Sequence, residues 1–142
     1  MVDFAQFIEG IVHEPTQTAG QGFDLTVSEI YEMTSPGAVD FGGGELTAAE
    51  RSPHDIEKRD TADEYGWWNL DAGQYLLAYN ETLTSDDLVF TLRTRSAVLA
   101  SGAFHPTLHV TDVPEVPLTV GGAGLSIKEN ARVSTLVAAE QD

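Results

Sequence analysis

The apolar residues at the start of the chain have a helical spacing. Four of them lie three or four positions apart, as on one side of a helix: Phe4, Phe7, Ile8 and Ile11. Asp3 precedes this group in the position of an N-cap, and Pro15 ends the pattern. The pattern therefore predicts a short amphipathic N-terminal helix.

Most of the remaining apolar residues occur in short runs typical of β-strands. In FDLTVSEIYEM, residues 23–33, apolar residues alternate with polar ones from Phe23 to Val27, which predicts a half-buried strand. AVDFGGGEL, residues 38–46, predicts a second short strand, and the polar residues 45–66 predict a long surface excursion. From Trp67 onward further β-branched or aromatic runs follow: GQYLLAYNETL, LVFTLRTR, TLHVTDV, VPLTV, GLSI and RVSTLVA. Such regularly spaced strands predict a mainly all-β barrel or sandwich, with one further short helix near residues 96–101.

Length and composition set the class of protein. The chain has 142 residues, 42% of them hydrophobic, so we expect one folded domain over residues 1–142. The absence of cysteine excludes disulfides, thiolate catalysis and cysteine-bound zinc. No apolar run approaches the roughly 18 residues of a membrane helix. We therefore expect a soluble, cytoplasmic protein that does not associate with membranes.

The charge is strongly acidic. Aspartate and glutamate number 23 against 7 lysines and arginines, which gives a formal net charge of −16. Such self-repulsion is screened by molar salt, and acid-rich, lysine-poor surfaces are typical of halophilic proteins. We expect a high-salt cytoplasm, the alternative being an acidic protein without that origin. The same charge argues against duplex nucleic acid as a partner, because phosphate backbones require a basic face.

Three segments, in this order, resemble the dCTP deaminase/dUTPase family. GFDL, residues 22–25, is similar to the family's G-x-D-L strand. DAGQYLLAYNETL, followed by DDLVFTLRTRSAVLASG, is similar to P-G-E-F-x-L-A-x-T-x-E and a strand ending in R-S-S-L-A-R-x-G. ENARVSTLVA is similar to G-x-R-I-x-Q-L. Together these segments extend over most of the chain.

The resemblance implies a fold and a chemistry. The fold is a distorted β-barrel or jelly-roll-like, dUTPase-like subunit, and the assembly is a homotrimer with nucleotide sites between subunits. Family members hydrolyse dUTP to dUMP and pyrophosphate, deaminate dCTP, or do both. The implied ligand is a deoxynucleoside triphosphate, dUTP or dCTP, with Mg²⁺ held through the substrate phosphates and water.

The resemblance also implies site residues. Arg95 and Ser96 match the Arg-Ser pair that grips the triphosphate, and Arg132 matches the arginine of the last motif. Asp24 corresponds to an aspartate that helps to place the magnesium-bound water or the subunit interface, and Asp112 to one that activates water. An arginine fork beside a hydroxyl is well suited to an anion.

Alternatives to these roles stay open at the level of sequence. Arg93 and Arg95 are also close enough along the chain to pair with surface acids such as Asp86 or Asp87. Asp24 is equally consistent with a polar residue of an edge strand that faces solvent.

Several positions depart from the family pattern. Alanine replaces the second serine at Ala97 and the second arginine at Ala100, and Thr135 replaces a glutamine. The deaminase glutamate would fall near Gly121, so we do not expect dCTP deamination. Two functional hypotheses follow: a Mg²⁺-dependent dUTP pyrophosphatase, or a non-catalytic homotrimer that acts as a nucleotide sensor or a structural or interaction module.

Two histidines have a spacing that zinc sites use on helices. His105 and His109 are four residues apart, but Pro106 argues against a helix between them, and no third ligand is evident. We expect a turn at residues 104–106, with His105 at its rim, and no metal site there.

Overall fold

Strands dominate the structure, which confirms the predicted all-β class. The computed structural model describes residues 3–84 and 87–139. Its strands are β1 (Ile8–Glu9), β2 (Phe23–Met33), β3 (Arg51–Pro53), β4 (Trp67–Leu70), β5 (Gly73–Tyr79), β6 (Thr82–Leu83), β7 (Phe90–Thr94), β8 (Ala103–Phe104), β9 (Leu108–Val110), β10 (Val116–Val120), β11 (Leu125–Lys128) and β12 (Arg132–Ala138). The helices are a 3₁₀ turn (Phe4–Phe7), α1 (Glu14–Gln17) and α2 (Ser96–Ala100). No helix in the described ranges is long and apolar enough to cross a membrane.

The main sheet has β2 near its centre. Its strands are antiparallel in the order β8-β10-β5-β2-β12-β7-β9, and β3 pairs with the far end of β2. The first half of β2 pairs with β12 and the second half with β5. The register shifts between Val27 and Glu29 and between Arg132 and Ser134, and such bulges bend a sheet. The sheet accordingly curls into a half-barrel.

The predicted N-terminal helix is wrong in its form but right in its packing. Phe4–Phe7 make a single 3₁₀ turn, Asp3 makes no side-chain cap bond, and Ile8 already pairs with Leu83 in a strand. Gly10 then adopts φ +83°, and a Cβ there would lie 2.3 Å from the Asn80 carbonyl oxygen. This close approach to the end of β5 prevents a continuous helix. The apolar side chains of the segment nevertheless pack on the core.

Pro15 starts a helix instead of ending one. It occupies the first turn of α1, where a missing backbone N–H costs nothing. The Gln17 side-chain oxygen accepts hydrogen bonds from the backbone N–H groups of Val12 and His13, at 2.9 and 2.7 Å. These two bonds fix the backbone that leads into α1.

Of the two predictions about residues 38–66, the short strand is wrong and the surface excursion is confirmed in its exposure. AVDFGGGEL contains no strand but a turn in which the Asp40 carboxylate accepts bonds from Gly43 and Glu45 N–H, flanked by a single bridge from Ala38 to Thr47. The surface excursion, residues 45–66, also contains the short strand β3, which the sequence did not predict and which pairs with Tyr31–Met33 of β2. This edge of β2 is open to β3 because β12 pairs only with residues 23–26 of β2, whereas β5 pairs with the other edge.

The first half of β2 is buried on both sides, and not half-buried as its alternating pattern predicts. Phe23, Leu25 and Val27 lie in the core, while Asp24 and Thr26 are only 7% and 2% exposed. Gln17 of α1 covers this second side. The N-terminal segment therefore adds a layer that the strand pattern alone does not show.

His105 is buried, and not at a rim as the sequence predicts. Its Nδ1 lies 2.8 Å from the Pro106 carbonyl oxygen, and its Nε2 lies 2.7 Å from Ser134 Oγ. Because Nδ1–H donates to the carbonyl, Nε2 accepts from the Ser134 hydroxyl, which in turn accepts from Tyr79 Oη at 2.5 Å. This arrangement fits a neutral imidazole, which burial favours by lowering the pKa of His105.

The buried imidazole predicts an acid-sensitive fold. Below pH 6.5 an unfolded His105 takes up a proton that the folded protein resists, so its contribution to stability is present above pH 6.5 and lost as the pH falls. We expect the melting temperature of wild type to fall further between pH 7.5 and pH 5.5 than that of His105→Gln, as measured by circular dichroism at constant salt. The exposed His109→Gln is the matched control and should follow wild type. Equal losses in all three proteins would contradict the buried neutral imidazole.

A candidate anion-binding cleft

A cleft of about 540 Å³ lies where β7 ends, α2 begins and the turn before β2 meets β12. Its polar lining comprises Asp24, Arg93, Arg95, Ser96, Arg132 and Thr135. Three of the seven basic residues of the chain therefore lie in one cleft. On a chain of formal charge −16, this concentration makes the cleft a local positive site that favours anions.

The alternation of β7 directs its arginines into the cleft. Leu92 and Thr94 point to the core, where the Thr94 hydroxyl donates to the His105 carbonyl oxygen at 3.1 Å. Arg93 and Arg95 therefore point to the opposite side. Ser96 follows as the exposed first residue of α2. The sequence-predicted Arg95 and Ser96 thus lie side by side on the cleft wall.

Asp24 is the centre of the cleft's ion pairs. Its Oδ2 lies 3.1 Å from a terminal nitrogen of Arg132 and 3.5 Å from Arg95 Nε. Its Oδ1 accepts a hydrogen bond from the Thr135 hydroxyl at 2.8 Å. The Asp24 side chain is 10% exposed, against 29% for Arg95 and 31% for Arg132. A largely buried carboxylate therefore fixes two half-exposed guanidinium groups.

The sequence left two alternatives open, a surface ion pair for Arg95 and a solvent-facing position for Asp24, and the structure bears on both. Arg95 pairs with Asp24, while Asp86 lies outside the described residues. Asp24 does not face solvent from an edge strand, because β2 is central and Asp24 is 7% exposed.

A buried polar network formed by Gln17, Thr26 and Glu81 holds the backbone of Asp24. The Gln17 amide donates to the Asp24 carbonyl oxygen and to the Glu81 carboxylate, both at 2.8 Å. Glu81 also accepts from the N–H and hydroxyl of Thr26, at 2.9 and 2.5 Å. Burial raises the pKa of Glu81, and these donated bonds oppose that rise. The network ties α1 to the strand that carries Asp24.

Sequence reasoning missed this network and a further contact to Arg132. A terminal nitrogen of Arg132 also lies 3.4 Å from the Thr16 carbonyl oxygen. The available signal was the polar residues within an otherwise apolar β2, because polar residues on a buried strand need partners. Gln17 and Glu81 have no such signal, since Gln17 follows the predicted end of the N-terminal helix and Glu81 lies at the polar end of the run GQYLLAYNETL.

Asp112 lies apart from the cleft of its own chain. It is exposed in the loop before β10, where Oδ1 accepts from Val113 N–H at 2.8 Å. Arg51 of β3 forms an ion pair with Glu115 in the same loop and lies over the Tyr31 ring, 4.2 Å from its centroid. These contacts brace the loop, but Asp112 is not among the residues that line the cleft.

The side chains that the structure describes do not form a set of metal ligands around Asp24. Both oxygens of Asp24 are engaged by Arg132, Arg95 and Thr135, so a cation there would compete with two guanidinium groups. Over residues 3–84 and 87–139 no group of three or more His, Cys, Asp or Glu side chains converges. The predicted metal role of Asp24 stays a prediction that this geometry does not favour.

Known proteins similar to the chain share a name. No family model matches it. Curated relatives from Methanosarcina mazei and Methanosarcina acetivorans are each 31% identical over 137 residues, covering 92% of this chain and 76% of theirs. One from Methanococcoides burtonii is 32% identical over 99 residues, covering 68% of this chain and 54% of its own length. All three are named probable deoxyuridine 5′-triphosphate nucleotidohydrolase. The chain thus spans about half the length of the last relative.

A solved structure shares the fold. The crystal structure of 2′-deoxycytidine 5′-triphosphate deaminase from Agrobacterium tumefaciens superposes with a TM-score of 0.56 at 12% identity. The match covers 93% of this chain and 43% of the deaminase chain. At this identity the likeness concerns the backbone architecture.

Removing the charge of Asp24 should destabilise the chain. In Asp24→Asn the two guanidinium groups lose their shared counter-ion and repel each other. We expect the free energy of unfolding in urea to fall by about 2 kcal/mol, between the values for exposed and for buried ion pairs. Thr135→Val is the matched control, since it removes one hydrogen bond to Asp24 and leaves the ion pairs; it should cost about 1 kcal/mol. An Asp24→Asn variant as stable as wild type would contradict the anchoring role.

Proposed function

Because this chain belongs to the dUTPase/dCTP deaminase-like family, we propose that it binds a deoxynucleoside triphosphate and hydrolyses dUTP to dUMP and pyrophosphate. The observation that carries the proposal is the cleft in which Asp24 orients Arg95 and Arg132 beside Ser96. The names of the three curated relatives support dUTP as the substrate.

In this proposal the triphosphate binds along the cleft wall. Arg95 uses its Nε to contact Asp24, so its outer guanidinium edge remains for phosphate oxygens. Ser96 donates its hydroxyl, and Arg132 presents the N–H groups that do not contact Asp24 or Thr16. Since these groups are held before the ligand arrives, little side-chain entropy is lost on binding.

Water activation requires a carboxylate that the cleft of one chain lacks. Asp24 is committed to its arginines, so we assign the base to Asp112 of a neighbouring copy in a homotrimer. A water oxygen forms a bond to phosphorus, Asp112 takes the proton, and the bond between the α- and β-phosphates breaks. Arg95 and Arg132 stabilise the charge that develops on the pyrophosphate.

An exposed apolar residue of the cleft supports the neighbouring copy. Leu99 of α2 is 54% exposed and lines the cleft. A partner surface packed on Leu99 would remove this apolar side chain from water. A second copy packed here would close the cleft and exclude water from it.

Magnesium enters this proposal as an ion carried by the substrate. When bound to the phosphates and water, Mg²⁺ neutralises part of the triphosphate charge. The arginines of the cleft and Ser96 then contact the phosphate oxygens directly. Asp24 orients the arginines and does not bind the metal ion.

A non-catalytic nucleotide-binding homotrimer is the second candidate. It is favoured by the position of Asp112 outside the cleft of its own chain and by Ala97 and Ala100 in α2. Such a protein would bind the same ligand through Arg95 and Ser96 without turnover. For both candidates we propose a cytoplasmic, high-salt setting, since molar salt would screen a net charge of −16.

Hydrolysis of dUTP separates the two candidates. Purified protein in molar KCl with Mg²⁺ should release pyrophosphate from dUTP and no ammonia from dCTP. Asp112→Asn should reduce the rate by about 10²-fold or more, since a positioned base contributes that much. Asp60→Asn is the matched control, because Asp60 is also an exposed loop aspartate that accepts a backbone N–H bond, here from Ala62.

The outcomes assign the function directly. Loss of pyrophosphate release in Asp112→Asn alone supports the enzyme. A wild-type protein that binds dUTP as a trimer in light scattering, yet releases no pyrophosphate, would contradict the enzyme and support the non-catalytic homotrimer.

A further inference from the structure

We propose that Arg93 contacts the outer phosphates of the ligand and lets the cleft distinguish a triphosphate from a monophosphate. This inference rests on the proposed function, because it concerns the same cleft. It adds a residue that the motif comparison does not include and assigns it a role in phosphate-chain length.

Arg93 lies beside the ion-pair cluster. Arg93 lies on β7, two residues before Arg95, whose backbone continues the strand in an extended conformation, so both side chains leave on the same side with Cα atoms about 6.6 Å apart at a rise of about 3.3 Å per residue. Its register partner on β12 is Thr135, whose hydroxyl donates to Asp24. A ligand phosphate at Arg95 therefore has its continuation within reach of Arg93.

Arg93 differs from the other arginines in having no ion-pair, hydrogen-bond or aromatic partner among the residues that the structure describes. Each of the other four contacts a carboxylate or an aromatic ring: Arg51, Arg59, Arg95 and Arg132. Arg93 is exposed and forms no ion pair or hydrogen bond with the part of the chain that the structure describes. All five of its N–H donors are therefore available to a ligand.

The charge of the cleft depends on this residue. Asp24 neutralises one of the two guanidinium charges that it binds, so Arg95, Arg132 and Asp24 together carry one positive charge. Arg93 doubles it. Because a triphosphate carries more negative charge than a monophosphate and extends further along the cleft, removing Arg93 should weaken the triphosphate more.

The test compares ligands that differ in phosphate number. Binding of α,β-imido-dUTP, inorganic tripolyphosphate and dUMP is measured by isothermal titration calorimetry in wild type and Arg93→Gln. We expect the Kd of the two triphosphate ligands to rise about tenfold or more, and the Kd of dUMP to change less than twofold. Arg93→Lys keeps the charge but loses the forked guanidinium group, so its Kd for the triphosphate ligands should lie between those of wild type and Arg93→Gln.

The matched control is Arg59→Gln. Arg59 lies over the Trp67 ring, 3.6 Å from its centroid, outside the cleft, so its removal changes the net charge equally. Equal effects of Arg59→Gln and Arg93→Gln would overturn the inference, as would an equal loss for dUMP and the triphosphates. Circular dichroism confirms that each variant is folded.

Failure of this inference is distinguishable from failure of the proposed hydrolysis. Tripolyphosphate binding that depends on Arg93 in a protein without dUTP hydrolysis supports the inference and overturns the enzyme. Hydrolysis with a KM that Arg93→Gln does not change overturns the inference alone. A wild-type protein that neither binds tripolyphosphate nor hydrolyses dUTP overturns both.

Discussion

The carboxylate of Asp24 is the constraint on which the cleft depends. It is largely buried, yet it carries a charge, and a buried charge is stable only when it is paired and hydrogen-bonded. Arg95, Arg132 and Thr135 meet this requirement, and two arginines are thereby held in place at the cleft wall. The same bonds that stabilise Asp24 thus prepare a positive surface on a strongly acidic chain.

The curled sheet brings these residues together from distant parts of the chain. β2 supplies Asp24, β12 supplies Arg132 and Thr135, and Arg95 follows the end of β7. The N-terminal segment completes the arrangement, because Gln17 donates both to the Asp24 carbonyl oxygen and to buried Glu81. The polar side of the first half of β2 is thus satisfied by contacts to α1 and to Glu81.

Local patterns predicted most of the fold and part of the site. The strands from Trp67 onward, the short helix after Arg95 and the pairing of Arg95 with Ser96 on one wall follow from alternation and motif spacing. The N-terminal helix did not form, because tight packing of Gly10 against Asn80 outweighs helical periodicity. The burial of Asp24 and Thr26, and their link to Glu81, depend on contacts between residues far apart in sequence, which a pattern along one strand does not encode.

A structure of the protein with α,β-imido-dUTP and Mg²⁺, determined by crystallography in molar salt, tests the central claim most directly. The account predicts that phosphate oxygens lie within hydrogen-bond distance of Arg95, Ser96 and Arg132, that Asp24 still pairs with both arginines, and that a second copy closes the cleft. Phosphates bound away from Arg95, or a metal ion on Asp24 with both arginines displaced, would contradict it.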